Sequence, residues 1–232
     1  MTNNSTDATT TSAGEQKIKD DATRRGQGFF GKPLVEKLKL IAVFAGLAVI
    51  LYFSRPTLQS FSAGALLVVI GTLIRIWAGG HLTRDQKLTT SGPYQYTRNP
   101  FYLGRLLWII GFAVMAGIGL NFSDWRNLLI WAVVILAILI FFAFYMPRKE
   151  EREGGRLKKL FGPDYETWKN NVPSLFPRLT PYVMNPRPWN KDLYMGNSAE
   201  FMGNKEVWTT LVVLVLIALF YLRMVTLPGV SP

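Results

Sequence analysis

The chain has no cysteine, one histidine (His81) and only 15 acidic residues against 26 Lys and Arg. Without cysteine there is no disulfide framework, no thiolate metal site and no cysteine nucleophile. A single histidine excludes a His-rich metal centre, and with His81 the sole candidate base a Ser-His-Asp triad is not expected. Chemistry in this chain must come from Arg, Lys, Glu, Asp, Tyr and Asn, or from a bound cofactor. The formal net charge of +11 suggests nucleic acid, yet no basic stretch is interleaved with aromatics as in a single-strand binding groove. Nucleic-acid binding is not expected.

What the chain has is long apolar blocks. Hydrophobic residues make up 49% of the 232, and they gather rather than scatter, which is the membrane signature. Residues 1–30 are the exception, rich in Thr, Ser, Asn, Asp and Lys. Such a segment cannot bury enough surface to order itself and predicts a disordered tail. It is not read as a signal peptide, because no apolar core follows in the usual window.

Five apolar blocks follow, from about Val35 to Phe53, Thr57 to Gly79, Phe101 to Phe122, Trp125 to Met146 and Val207 to Leu222. Each approaches the ~20 residues needed to cross ~30 Å of hydrocarbon. Lys and Arg orient them. Seven lie before or at the start of the first block, the last two being Lys37 and Lys39, three lie between the second and third, and eleven run from Arg148 to Lys205. The opposite side carries Arg55, Arg126 and Arg223, while Arg75 and Arg105 lie within blocks. The positive-inside rule then puts the N-terminus in the cytoplasm. The expected fold is an all-α integral membrane protein with five transmembrane helices and a cytoplasmic amphipathic segment between helices 4 and 5.

The expected organisation is a tail (1–30), a transmembrane hairpin region (31–73), a catalytic region (74–180), a Pro-rich connector (181–205) and an extra C-terminal helix (206–232). Gly64 and Gly71 in the second block, and Gly104 and Gly111 in the third, put small residues on one helix face for close packing. Past the fourth block, which Pro147 is expected to end, Leu157, Leu160 and Phe161 share a helical face. Gly162-Pro163 ends that helix, and Tyr165, Trp168 and Val172 predict a second one, closed by Pro173.

Two polar clusters stand at block boundaries. The first, His81 to Tyr102, includes Gly92-Pro93, a turn signal, and Asn99-Pro100, a helix N-cap followed by proline at the first helical position. A helix starting there points its free N–H groups at the loop and suits a carboxylate or phosphate. The second is Arg148-Lys149-Glu150-Glu151-Arg152-Glu153. Taken singly, these are a turn, a cap and a solvated helix start. The third and fourth blocks form a hairpin, however, so the two clusters are expected to meet and wall one cavity.

The motif Leu88-x-x-x-Gly92-Pro93-Tyr94-x-x-x-Arg98-Asn99-Pro100-x-Tyr102, followed after the hairpin by Glu153-x-x-x-Leu157-x-x-x-Phe161-Gly162-x-x-Tyr165, resembles the integral-membrane methyltransferases of the isoprenylcysteine carboxyl and phospholipid methyltransferase group. The resemblance covers roughly Ile74 to Phe176. It implies S-adenosylmethionine as methyl donor, held at the cytoplasmic helix ends against Gln86, Leu88, Tyr94, Arg98, Asn99, Pro100 and Tyr102, with Glu153 closing the pocket. It also implies a substrate-contacting cation just before that glutamate, for which Arg148 or Lys149 falls nearest. Arg148 and Glu153 are the expected catalytic pair. The chain departs from the family in having Arg-Asn-Pro for the commoner Arg-His-Pro, no histidine near Gln86, and a fifth block after the catalytic segment.

The expected reaction is methyl transfer to a lipophilic acceptor, the carboxylate or amine of an isoprenoid-linked or phospholipid-like molecule, at the cytoplasmic membrane boundary, with membrane lipids as partners. A carboxylate acceptor needs only a cation to place it, whereas an amine needs a base such as Glu151 or Glu153. Two rival readings are a sterol-type NADPH-dependent membrane reductase and a non-catalytic membrane partner. The acceptor and the oligomeric state are not encoded in any motif.

Overall fold

The computed structural model describes residues 34–83, 87–117, 124–195 and 205–226. Among these there are helices and loops and no strand. The order is α1 (Leu34–Phe53), α2 (Leu58–Gly79), a 3-10 turn (Gly92–Gln95), α3 (Pro100–Met115), α4 (Trp125–Ile140), a π-helical turn (Phe141–Tyr145), α5 (Met146–Asn171), α6 (Lys191–Met195) and α7 (Lys205–Thr226). The described residues fall into two units divided between Ala48 and Val49. Within the first, α1 exposes Leu38, Ile41 and Phe44. The elements that follow belong to the second.

Three helical runs are long and apolar enough to cross a membrane: Leu58–Gly79, Trp125–Asn171 and Val207–Thr226. Phe44–Phe53 and Pro100–Met115 are shorter apolar stretches. Leu66, Leu73, Leu128, Leu139 and Leu214 lie more than half exposed on these helices, a sleeve that suits lipid rather than water. The protein is a helical membrane protein. The third block departs from expectation. Its helix stops at Met115 after 16 residues, about 24 Å of axis, and residues 118–123 lie outside the described set. Gly117 follows at φ +69°, against the Arg55 carbonyl, and the Arg55 N–H donates to Ala116 O at 3.0 Å.

α2 begins with a reciprocal cap. Thr57 Oγ1 accepts from the Ser60 N–H at 3.1 Å, and Ser60 Oγ accepts from the Thr57 N–H at 2.9 Å. The glycines then decide how α2 and α3 meet. A Cβ on Gly64 would strike the Gly111 carbonyl and the Met115 backbone, and one on Gly71 would come within 2.7 Å of the Gly104 carbonyl. The two small-residue pairs face one another, so the backbones approach as side chains would forbid. Val68, Phe112, Met115 and Ile130 fill the core around this crossing. α7 packs on the same core through Phe220, stacked on Phe112 with centroids 5.9 Å apart.

Pro147 does not end the fourth helix as expected. The chain passes through the π turn at Phe141–Tyr145 and continues into α5. Proline lacks the donor for the usual bond and crowds the preceding turn. A local change to wider hydrogen bonding accommodates it without stopping the helix. The break expected at Gly162-Pro163 is present as a kink, with Gly162 at φ +49°, ψ −122° inside α5.

Candidate functional site

The loop between α2 and α3 is held from both sides. Gly92 sits at φ +60° with the His81 imidazole packed where a side chain would be, and His81 Nδ1 lies 3.0 Å from Ser91 Oγ. The hydroxyls of Thr83 and Thr89 are 3.0 Å apart. From the other side the second half of α5 supplies Trp168, whose Nε1 donates to Tyr94 O at 3.1 Å. Leu88, Tyr94, Tyr165, Trp168 and Val172 form one buried cluster.

The Pro-rich segment after α5 binds this loop like a strap. Arg98 N donates to Pro173 O at 2.9 Å, Arg178 N to Tyr96 O and Tyr182 N to Gln95 O at 3.0 Å, and Asn190 N to Gly80 O at 2.9 Å. Thr97 Oγ1 donates to Leu175 O at 2.9 Å. Trp189 Nε1 donates to Ile76 O at 3.2 Å, its indole lying where a Cβ on Gly80 would be. Loop and strap are therefore joined by backbone bonds that do not depend on side-chain identity.

The two polar clusters meet at the start of α3. Arg98 Nη2 pairs with Glu150 Oε1 at 2.5 Å, and the other Glu150 oxygen accepts from Ser174 Oγ at 2.8 Å. Asn99 Nδ2 donates to Ser174 O at 3.0 Å. One turn on, Lys149 Nζ lies 3.9 Å from the Tyr102 ring centroid and pairs with Glu153 at 2.9 Å. Tyr102 and Tyr145 stack obliquely, centroids 5.1 Å apart.

The expected residues fall as follows. Leu88, Tyr94, Pro100 and Tyr102 are buried around the loop and α3 start. Asn99 occupies the N-cap position but its side chain makes no capping bond, being turned to Ser174 instead. Glu153 stands beside Tyr102 through Lys149. Arg148 is exposed and lies over Phe144, 5.3 Å from its centroid, on the side of α5 turned from the cluster. Gln86 lies outside the described residues.

Sequence reading placed Glu150 in the second cluster without giving it a role of its own, and did not single out Ser174. A signal for Glu150 existed: Met146, Lys149, Glu150 and Glu153 share one helical stripe, Met146 is buried, and Arg148, Glu151 and Arg152 are exposed. Nothing local marks Ser174, whose role comes from a long-range turn. Arg75, within the second block, is buried at 3% exposure, donates to Phe101 O at 2.9 Å and lies 4.5 Å from the Trp108 centroid. It braces α2 against α3 rather than reaching for the headgroups.

Two hydroxyl and guanidinium atoms in this region are buried without a hydrogen-bond partner, Thr90 Oγ1 and Arg98 Nε. Burial, then the positive charge of Arg187, lowers the pKa of His81 from its ordinary value, so it is held neutral in its niche. The arrangement offers cations, carboxylates, aromatic faces and the uncapped start of a helix within one region, a set that can hold a zwitterion.

Fold and site together define a helical membrane protein whose polar machinery sits at helix ends. A phospholipid methyltransferase family model matches residues 59–152. The chain is 30% identical over 154 residues to protein-S-isoprenylcysteine O-methyltransferase B of Arabidopsis thaliana, covering 60% of this chain and 71% of that protein. It is 30% identical over 131 residues to the Homo sapiens protein-S-isoprenylcysteine O-methyltransferase, covering 49% and 40%. It is 31% identical over 121 residues to the cobalt-zinc-cadmium resistance protein CzcN of Cupriavidus metallidurans, covering 51% and 50%. The chain thus spans about half the length of that relative. No solved structure matches the chain significantly. The chain belongs to the family of membrane methyltransferases to which the phospholipid and isoprenylcysteine enzymes belong.

Proposed function

We propose that the chain transfers a methyl group from S-adenosylmethionine to a lipophilic acceptor at the cytoplasmic membrane boundary, using residues 74–180. The observation that carries this reading is the Arg98–Glu150 pair, which joins the start of α3 to the start of α5. Five spans with the N-terminus inside, a Pro-rich connector over 181–205 and an accessory helix over 206–232 complete the proposal.

The residues present fit the donor. Because Asn99 turns its amide to Ser174, the first-turn N–H groups of α3 have no side-chain cap. They suit the methionine carboxylate. Glu150 and Glu153 suit the ammonium or the ribose hydroxyls. The orphaned Thr90 hydroxyl and Arg98 Nε are donors left over for a ligand, since buried polar atoms without partners are costly. S-adenosylmethionine supplies, when bound, a methyl group on a positively charged sulfur. Tyr94 and Tyr102 offer ring faces that attract such a cation by about 0.5–2 kcal/mol.

Methyl transfer is an in-line displacement, so the chain's task is to align the partners and exclude water. The strap from Pro173 to Asn190 performs the exclusion by covering the loop. Tyr102 and Lys149 stand between loop and lipid, where an acceptor's polar end would arrive. Glu153, half exposed beside Lys149, is placed to take a proton if the acceptor is an amine.

A labelled-methyl transfer assay on membranes containing the protein, followed by lipid extraction, tests the reading. Label is expected in the organic phase. No label in lipid or protein, together with no binding of S-adenosylmethionine by purified protein at about millimolar concentration, would sink it.

A further inference from the structure

The strap that binds the α2–α3 loop turns one side inward and leaves the other bare. Leu175 is buried with Tyr102, Leu106, Phe141 and Met146. Tyr182 and Met184 pack on the cluster of Leu88, Tyr94 and Trp168. Their neighbours point the other way: Phe176, beside Leu175, is 66% exposed, and Val183, between Tyr182 and Met184, is 58% exposed. Leu179 stands out furthest, at 98%. Three large apolar side chains so close in sequence make a ridge that is costly to leave in water.

The depth of this ridge is set by what the strap holds. Trp189 Nε1 donates to Ile76 O and Asn190 N to Gly80 O, at the last turn of α2, a helix long and apolar enough to cross a membrane. At the other end Arg98 N donates to Pro173 O at the entrance of α3. Leu175 shares its buried cluster with Leu106, about 9 Å beyond Pro100 along α3. Phe142 and Phe144, next to Phe141 of the same cluster, are exposed with the lipid-facing sleeve. The strap therefore runs where hydrocarbon gives way to headgroups, and the half-exposed Trp189 is the aromatic such a boundary favours. Charge says which lipid. From Pro173 to Lys191 the chain carries Arg178, Arg187 and Lys191 and no acidic residue. Arg178 is fixed beside the ridge by donating to Asn171 O at 2.7 Å. Apolar side chains set among cations are the composition of a segment that lies on an anionic membrane surface.

We propose that the outer side of the strap, Phe176, Leu179 and Val183 flanked by Arg178, Arg187 and Lys191, docks on the headgroup region of an anionic phospholipid bilayer. The apolar side chains enter between the lipid headgroups, and the three cations stay above them among the phosphates. This docking goes beyond methyl transfer and needs only that α2 spans the bilayer.

Because the chain has no cysteine, Leu179→Cys gives a single attachment point for an environment-sensitive fluorophore, at a side chain exposed enough to leave the fold undisturbed. The full chain is placed in nanodiscs of phosphatidylcholine alone and of equal parts phosphatidylcholine and phosphatidylglycerol. Each is prepared with and without a lipid bearing a nitroxide high on its acyl chain. Quenching by the nitroxide is expected in the anionic discs and about threefold less in the zwitterionic ones. Sodium chloride at about 0.5 M is expected to remove most of that difference. Arg187→Gln combined with Lys191→Gln is expected to do the same at low salt, each basic residue near an anionic surface being worth roughly fivefold. The fluorophore carried by Val183→Cys instead of Leu179→Cys is expected to repeat the pattern. A fluorophore that stays in water and unquenched in both discs overturns the docking and leaves the ridge to a soluble partner. Equal quenching in both discs, or a difference that survives both salt and the double substitution, overturns the anionic assignment.

Discussion

Arg98 at the entrance of α3 and Glu150 in the first turn of α5 close an ion pair of 2.5 Å, with the whole α3–α4 hairpin lying between them in sequence. Glu150 is also the acceptor for Ser174, and Ser174 in turn holds Asn99. One carboxylate thus ties together the two polar clusters and the strap.

Removing it should uncouple all three. Glu150→Ala is expected to lose about 1–2 kcal/mol, because Arg98 is left largely buried without its partner. The Arg98→Ala, Glu150→Ala double variant should lose less than the two singles summed, by about 1 kcal/mol. Thermal unfolding of the four proteins in detergent measures the cycle. Strict additivity would show that the pair does not couple the clusters.

Glu153 offers a contrast. Its side chain is 44% exposed and paired only with Lys149, so Glu153→Gln should change stability by less than about 0.5 kcal/mol. If it closes the donor pocket, affinity for S-adenosylmethionine should nevertheless fall by about tenfold. Isothermal titration reads the second quantity, and unchanged affinity would remove Glu153 from the pocket.

Glycine positions differ sharply in tolerance. Gly64→Ala drives a methyl into the Gly111 carbonyl and the Met115 backbone, and should cost about 2–3 kcal/mol as α2 and α3 are pushed apart. Gly155 has nothing within 4 Å of a Cβ. Gly155→Ala should be neutral or stabilise by up to about 1 kcal/mol, as alanine is the better helix former. The unfolding midpoint should therefore fall for Gly64→Ala and stay level or rise for Gly155→Ala.

His81 should make stability depend on pH. Its folded pKa is lowered, by burial first and Arg187 second, so between that value and the ordinary value of about 6.5 the unfolded chain binds a proton that the folded chain does not. Stability falls as pH drops through this window and levels off below the folded value. Unfolding midpoints of the parent should be lower at about pH 5.5 than at about pH 7.5, and His81→Gln should reduce that difference. An identical pH dependence in both proteins would refute the assignment.

Much of the helical framework was legible because it depends on local properties. Apolar block length foretold α2 almost to the residue and the starts of α4 and α7 closely, though not where those helices end, and the glycine spacing foretold the small-residue faces on which α2 and α3 pack. Gly162-Pro163 was visible as a break because glycine readily takes positive φ and the following proline disfavours helical geometry in the residue before it. Pro147 misled for the same reason in reverse: its local rule was overridden by a π turn, and nothing in the residue pattern announces that turn. The site was half legible. Gly92-Pro93-Tyr94 and Arg98-Asn99-Pro100 announced themselves as turn and helix start, whereas the cap expected of Asn99 was lost to a competing acceptor in the strap.

The sequence by itself determined that this chain is a helical membrane protein with two polar clusters at helix ends, since the length of apolar blocks and the charges at their ends are read from residues near in sequence. Only the tertiary structure decided that Glu150 pairs with Arg98, that Arg148 lies over Phe144, and that Arg75 is a brace. Those assignments depend on which stripe of each helix meets a neighbour, and that is fixed by packing between segments distant in the chain, not by any pattern within one of them.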